Sequence, residues 1–387
     1  MRVAVVYDCL FPWTVGGAER WYRNLAERLA RGGHEVTYLT LRQWDASDPP
    51  DLPGVKVVAV GPRMELYAAG KRRIWPPLRF GLGLLGHLLC HGRRYDRLHL
   101  ASFPFFSLLA AGLLRPFFGY RIAVDWHEVW TDDYWRAYLG RLGWLGIAVQ
   151  RLCARVRQEA YAFSLLHAAR AEAIGCPAPV TILPGEYAGG AYPVRAVADP
   201  PTLVYAGRLI PEKRVSLLVD AFALLVAQRP EVRLTIFGRG PEQEAIDAQI
   251  ARLGIGGAIR LPGFVPETEI EAAMAEAAAV VQPSEREGYG MVVVEAAAHG
   301  VPVVVVPAPD NAATELVDTG ENGFIAADAT PAALAAAMAA AIDGGDALRS
   351  RTRAWFAANA ARLSIAGSTA KILADMDAGR AADLSSR

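Results

Sequence analysis

The stretch SEREGYGMVVVEAAAHGVPVVVV, Ser284 to Val306, decides how this chain folds. Glycines at 288 and 290 suit a tight turn in which backbone approaches a neighbour closely. Met291 to His299 is rich in Ala, Val and Glu and reads as a helix. Gly300 ends it and Pro302 keeps it from resuming. VPVVVV is then a continuous apolar run of the kind buried in a parallel sheet. The first turn of such a helix offers unpaired N–H groups and a positive dipole end, which suits a phosphate. Two carboxylates bracket that turn: Glu287 before it and Glu295 within the helix. Glu295 lies roughly 8 Å along the axis at about 1.5 Å per residue, about the span from a diphosphate to the ribose of the same nucleotide. A carboxylate accepts two hydroxyl hydrogen bonds well. Glu287, on the loop, can face whatever hangs from the other end of the diphosphate. An ordinary α/β unit with one exposed Glu and one N-terminal charge explains the same letters.

Outward from this unit, the second half alternates strand and helix. Strands are expected in TLVYAGR, VRLTIFG, AIRLPGF, AAVVQPS, VPVVVV and GFIAA, with helices near 214–228, 241–252, 267–276, 290–299 and 331–342. The first half alternates too: RVAVVYD, HEVTYLT, VKVVAV, YDRLHLA and YRIAVDWHE read as strands, RWYRNLAERLARGG and 104–114 as helices. Such alternation predicts parallel sheets with helices on both faces, and ligands at the carboxyl ends of the strands. LPGEYAGGAYPVRAVADPP (183–201) is rich in Pro, Gly and Ala and reads as a linker or hinge. The expected division is 1–190 and 191–364, with a helical stretch at about 347–378 crossing back so that about 365–387 packs on the first domain.

The chain has 387 residues, 53% hydrophobic and 21% charged, and a formal net charge of zero. These are globular proportions with room for two domains. The charge is uneven: residues 1–195 hold 24 Lys+Arg against 16 Asp+Glu, and eight of the nine Trp. Such asymmetry implies that the halves face different partners. Cys9, Cys90, Cys153 and Cys176 form no CxxC pair and no zinc spacing, so they are expected as buried free thiols in a reducing cytosol. MRVAVVYDCL reads as a first strand rather than a signal peptide, and no window is long and apolar enough to span a bilayer.

Of the nucleotide motifs, IFGRGPEQEAI carries Gly238 and Gly240 after a strand but has Gln243 where a dinucleotide fingerprint needs its third glycine. A P-loop, a GxSxG elbow and a His/Cys/Asp metal spacing are absent from the sequence. What remains is a set of phosphate-friendly loops. AGRLIPEKR places Arg208 and Lys213 just after a strand, where two cations can share one diphosphate. Gly16 and Gly17 open the first helix of the other half, and their backbone can approach the same group.

GRLIPEKRVSLLVDAF, IFGRGPE, PGFVPETEI and the E-x7-E block EGYGMVVVE resemble the C-terminal domain of retaining GT-B glycosyltransferases, family four (glycosyl transferases group 1). VGGAERWYRNLAERLARGGHEVTYLT resembles that family's N-terminal signature, and the likeness runs in order over nearly the whole chain. It implies the GT-B architecture: two Rossmann-like doubly wound domains facing each other across a cleft. It also implies a UDP- or GDP-type sugar donor on the C-terminal domain and a saccharide or lipid-linked acceptor on the N-terminal one. By resemblance Arg208 and Lys213 are the phosphate-binding pair, Glu295 grips the ribose, and Glu287 holds the donor sugar. The turn Gly288, Tyr289, Gly290 leads to amides near Met291 and Val292 that contact phosphate. His127, in VDWHEVW, matches a histidine near the donor sugar, with Glu128 a structural neighbour. Phe264 and Val265 fall where the base pocket is expected, although as apolar residues they fit a core equally well. Two departures bear on the sugar side: Asp310-Asn311 stands where relatives often carry a glycine pair, and Gly185 where Asn-Gly is frequent.

The resemblance implies retention of anomeric configuration by front-side attack, the leaving phosphate taking the acceptor proton. Charge growing on the diphosphate would be stabilised by Arg208, Lys213 and helix-end amides. No cofactor and no nucleic acid is expected. Independence of a metal is part of what the resemblance implies. Rival readings are a sugar-nucleotide 2-epimerase, which needs further acid/base carboxylates, and a non-catalytic sugar-nucleotide-binding subunit. A pyridoxal phosphate phosphorylase needs a longer chain. KRRIWPPLRF (71–80) with Arg93-Arg94 suggests a cytoplasmic protein docking peripherally on the inner face of an anionic membrane, against the plain alternative of a solvated basic surface.

Overall fold

The computed structural model describes residues 1–45, 47–68, 71–193 and 195–385, and their side chains outside 67–72 and 379–385. The chain forms two compact units: Met1–Ala188 together with the chain from Ser364 onward, and Gly189–Leu363.

The first unit is built on a parallel sheet of seven strands. Their spatial order is Val55–Gly61, Glu35–Leu41, Arg2–Val6, Arg97–Ala101, Arg121–Trp126, Glu159–Ala162, Thr181–Ile182. The order reverses between Arg2–Val6 and Arg97–Ala101, where both strands are buried from end to end apart from Arg2. The helix Gly17–Arg31 begins three residues ahead of RWYRNLAERLAR, at the glycine pair expected to open it. FGLGLLGHLLC belongs to a longer helix, Trp75–His91, with prolines in its first turn.

The second unit has six parallel strands in the order Ile259–Gly263, Arg233–Phe237, Thr202–Ala206, Ala279–Gln282, Val303–Val305, Gly323–Ile325. Here the reversal lies between Thr202–Ala206 and Ala279–Gln282. Leu203, Tyr205, Phe222, Leu234, Ile236, Val281 and Val304 meet in one core with Leu334 and Met338. The decisive stretch folds as its letters direct: Gly290 at φ 103°, helix Met291–Ala298, and a strand with all three residues buried.

The described residues of 183–201 carry no regular strand or helix apart from an isolated bridge at Tyr187. The helical stretch expected at 347–378 is divided. One helix, Pro331–Leu363, bends at Gly345 (φ 45°), and a second, Ile365–Ser385, follows Ser364. The second joins the first unit through Ile365 N–H to Tyr187 O (2.9 Å), Gly185 N–H to Ser368 Oγ (3.0 Å) and Tyr161 OH to Asp375 (3.1 Å). Three of the four free thiols are buried; Cys90 is exposed, because it falls on the outer side of helix Trp75–His91.

Candidate active site

In an open parallel sheet, loops at the reversal of strand order form the crevice where ligands collect. In the second unit that place is set by the loops after Ala206 and Gln282. Gly207 and Gly238 lie so close that a Cβ on Gly238 would sit 1.8 Å from Gly207 O, and one on Gly240 2.1 Å from Leu209 O. Leu209 N–H donates to Arg239 O (3.0 Å) and Glu242 N–H to Leu209 O (3.1 Å). The Gly-x-Gly pair therefore lays one strand-end loop on another and needs no dinucleotide to explain it. Supported in this way, the loop from Arg208 runs through a short turn, Pro211–Lys213, into helix Val215–Gln228.

Lys213 Nζ meets Glu287 Oε1 at 2.5 Å, with side chains only 15% and 13% exposed. The same oxygen accepts from Gln282 Nε2 at 2.6 Å and Ser284 Oγ at 2.8 Å. Arg208 is exposed and has no hydrogen bond or ion pair through its guanidinium among the described residues. Glu287 is held in place from behind. Residues Arg286–Glu287 pair in parallel with Asp310–Asn311. Buried Asn311 donates to Ser284 O (3.0 Å) and Val306 O (2.8 Å) and accepts from Ala313 N–H (3.0 Å). The Asp310-Asn311 departure thus acts as a clamp on the loop that carries Glu287.

Gly290 precedes helix Met291–Ala298 with positive φ, and a Cβ there would strike Ala313 at 2.5 Å. No side chain caps this terminus, so its first-turn amides stay available to an anion. Gly288 precedes buried Tyr289, Met291 and Val292 form the first turn, and Glu295 stands half-buried one turn further. Phe264 follows the edge strand Ile259–Gly263 and is 77% exposed, with Val265 half-buried beside it. Phe264 is no core residue.

In the first unit, Gly16 is extended and Gly17 opens the helix with free space around it. A Cβ on Gly16 would lie 2.3 Å from a Glu19 carboxylate oxygen, so a side chain there would displace the end of Glu19, and the extended backbone does not itself demand glycine. His127 follows the strand Arg121–Trp126. Its ring stacks on Phe163 (4.3 Å, 3°) and meets Tyr22 edge-on (5.7 Å). Its Nδ1 lies 3.1 Å from Glu186 Oε1, while Nε2 has no hydrogen-bond partner among the described residues. Burial disfavours the charged ring, but Glu186, Asp125 and Glu128 outweigh it and hold the His127 pKa above its ordinary value. Glu128 accepts from Trp130 Nε1 at 3.1 Å.

Beneath His127, fully buried Asp125 accepts from Trp21 Nε1 (2.7 Å) and pairs with His99 Nε2 (2.8 Å). Burial pushes its carboxyl up, yet His99, His127 and Trp21 together bring it below the usual range. Glu186, Asp125, His99, Gln282 and Ser284 escaped the sequence reading. The available signal was polar letters at the ends of apolar strand runs, DWH, LHLA and VVQPS, since a buried polar group is the informative exception. Among the described residues no group of three or more His, Cys, Asp or Glu is arranged to hold a metal.

The family model for glycosyl transferases group 1 matches residues 193–361, and the glycosyl transferase 4-like domain matches 16–186. A glycogen synthase of Mycobacterium tuberculosis is 27% identical over 377 residues, covering 92% of this chain and 89% of that protein. A D-inositol 3-phosphate glycosyltransferase of Segniliparus rotundus is 27% identical over 337 residues, covering 78% and 73%. Among solved structures, HepE of Anabaena in complex with UDP and glucose aligns with TM-score 0.72 at 18% identity, covering 97% of this chain and 99% of that one. Sucrose-phosphate synthase of Thermosynechococcus elongatus aligns with TM-score 0.76 at 19% identity, covering 98% and 99%. With both halves matched in order and both sheets wound in the Rossmann manner, the chain belongs to the group 1 glycosyltransferases of the GT-B fold.

Proposed function

We propose that the protein is a retaining glycosyltransferase that moves a sugar from a nucleoside diphosphate to an acceptor hydroxyl in glycan or glycolipid biosynthesis. The observation that carries this is the Lys213–Glu287 contact at the strand reversal, 2.5 Å long, on the same loop system as an uncapped helix terminus and an unpaired Arg208. A diphosphate competes for Lys213 with its own charge. Once it wins, Glu287 is released to accept hydrogen bonds from sugar hydroxyls. Arg208 and the amides of Met291 and Val292 add to the charge stabilisation. Glu295 takes the ribose, and Phe264 offers its exposed face to the base. The similarity to HepE, whose structures hold UDP and UDP-glucose, and to a glycogen synthase supports a donor of this class.

The bond from the anomeric carbon to the diphosphate oxygen breaks as the acceptor oxygen bonds to the same face. The acceptor proton passes to the departing diphosphate, so no protein nucleophile or cofactor enters the balance. On the first unit itself, His127 keeps an Nε2 without a hydrogen-bond partner among the described residues, and Gly17 opens its helix with free space around it. Incubation with UDP-, GDP- and ADP-sugars tests the reading, with nucleoside diphosphate release and the anomeric configuration of the product as readouts. Stabilisation by a nucleoside diphosphate at 100 times its dissociation constant is expected to be about 2.7 kcal/mol. Absence of any shift with the whole panel would refute the donor class, and an inverted product would refute retention.

A further inference from the structure

Three helices of the first unit, Trp75–His91, Phe105–Phe118 and Gly143–Ala154, pack in a row, the first on the second and the second on the third. On the first helix the exposed positions recur at 75, 79, 82, 86 and 89. That outward stripe is polar in an ordinary surface helix. Here it reads Trp75, Arg79, Leu82, Gly86, Leu89. The second helix adds Leu113 and Phe117, and the third Trp144, Leu145 and Leu152, just after Leu142. Every Trp, Leu and Phe named here is at least 46% exposed. Apolar exposure on three helices packed in a row marks an interaction face.

The charge around it has one sign. Between Leu66 and Val124 the chain has nine Lys or Arg and a single acidic residue, Asp96, which Arg2 holds at 2.6 Å. Residues 134–158 add five Arg and no acid. Arg79, Arg93, Arg94 and Arg141 are exposed and form no ion pair among the described residues. Arg73 is paired with Glu65 and Arg151 with Asp132, at the border. The side chains of Lys71 and Arg72 lie outside the described residues.

We propose that this helical layer docks on an anionic lipid bilayer. A second copy of the same face would oppose arginine to arginine in a symmetric pair. An anionic bilayer satisfies both properties at once: acyl chains take the Leu and Phe side chains to a depth of about 5–10 Å, and headgroups attract the arginines. Tryptophans suit the boundary between the two. No helix among the described residues is long and apolar enough to cross a membrane, so the mode is lying on the surface. The inference is independent of the donor assignment.

Vesicle flotation tests it, using phosphatidylcholine alone and phosphatidylcholine with phosphatidylglycerol, at low and high salt. Expected is binding to the anionic vesicles that weakens with salt. It should fall about thirtyfold in Arg93→Ala/Arg94→Ala, from about 1 kcal/mol per arginine. It should fall about tenfold or more in Leu82→Glu/Leu89→Glu, whose positions are exposed and leave the core untouched. Circular dichroism melts confirm that both variants fold. No flotation with anionic vesicles at low salt overturns the proposal. So does a dimer in light scattering that Leu82→Glu/Leu89→Glu abolishes, which would assign the face to a second copy.

Discussion

Arg208 and Lys213 stand on one loop in different electrical company, which makes their alanine variants separable. Arg208 is exposed and unpaired, so Arg208→Ala should change stability by no more than about 0.5 kcal/mol. Lys213→Ala leaves Glu287, a carboxylate 13% exposed, without its counter-charge. Breaking a fully buried pair from one side costs about 3–5 kcal/mol. Residual exposure and two surviving donors, Gln282 and Ser284, reduce this to about 2 kcal/mol. For a unit of this size that is a Tm loss of roughly 4–8 °C. Turnover should not distinguish the two. Each cation acts on charge that grows as the diphosphate leaves, so each variant should lose about 3 kcal/mol, more than a hundredfold. The double variant Lys213→Ala/Glu287→Gln removes the orphaned charge and should recover at least half of the lost Tm while turnover stays low. Calorimetric melts and a coupled assay for nucleoside diphosphate measure both quantities. Lys213→Ala melting with the wild type would refute the energetic argument. Arg208→Ala retaining more than about a tenth of wild-type turnover would refute the phosphate role.

The two glutamates should part on ligand rather than on stability. Glu295→Gln is expected to weaken a bare nucleoside diphosphate as well as the full donor, and Glu287→Gln the full donor only; calorimetry giving the reverse order sinks the assignment. Phe264→Ala should leave the melt unchanged and weaken nucleotide binding by about 1–3 kcal/mol if the ring stacks on a base; unchanged affinity removes Phe264 from the site. His127 is held above its ordinary pKa of 6.5 by Glu186 and its acidic neighbours. That pairing stabilises fully below about pH 6.5 and is lost as pH rises through the raised value. Glu186→Gln should therefore lower Tm most near pH 6 and least in alkali, and shift the NMR titration of His127 downward. A deficit that grows with pH contradicts the ion pair.

Continuous apolar runs bounded by glycine made the second unit legible: all six strands of its main sheet lie within the runs that predict them, and only the short pair Arg286–Glu287 and Asp310–Asn311 falls outside. The first unit was harder. Glu159–Ala162 reads EAYA, with no β-branched residue, and Thr181–Ile182, though β-branched, is only two residues long. Gly143–Ala154 and Phe105–Phe118 carry apolar residues on exposed as well as buried faces, so periodicity, which depends on one polar face, was blurred. In the site, glutamates and cations stood out because charged letters beside glycine turns are few. That Lys213 and Glu287 touch is a contact across 74 positions, which no local pattern encodes. The role of Asn311 is equally hidden, since three hydrogen bonds to scattered backbone look like any loop asparagine in sequence.

The return of Ile365–Ser385 to the first unit bears on how the protein is born. Residues up to Ala188 leave the ribosome first, but Ile365, Ile372 and Met376, all buried, and the partner of Tyr161 at Asp375 follow roughly 175 residues later. At about 5–20 residues per second that is a wait of roughly 9–35 s. Gly189–Leu363 needs nothing further and can be complete when the awaited helix emerges. The unit begun first is thus finished last, and meanwhile the flank of helix Gly17–Arg31 that the returning helix covers is open to chaperones or to aggregation.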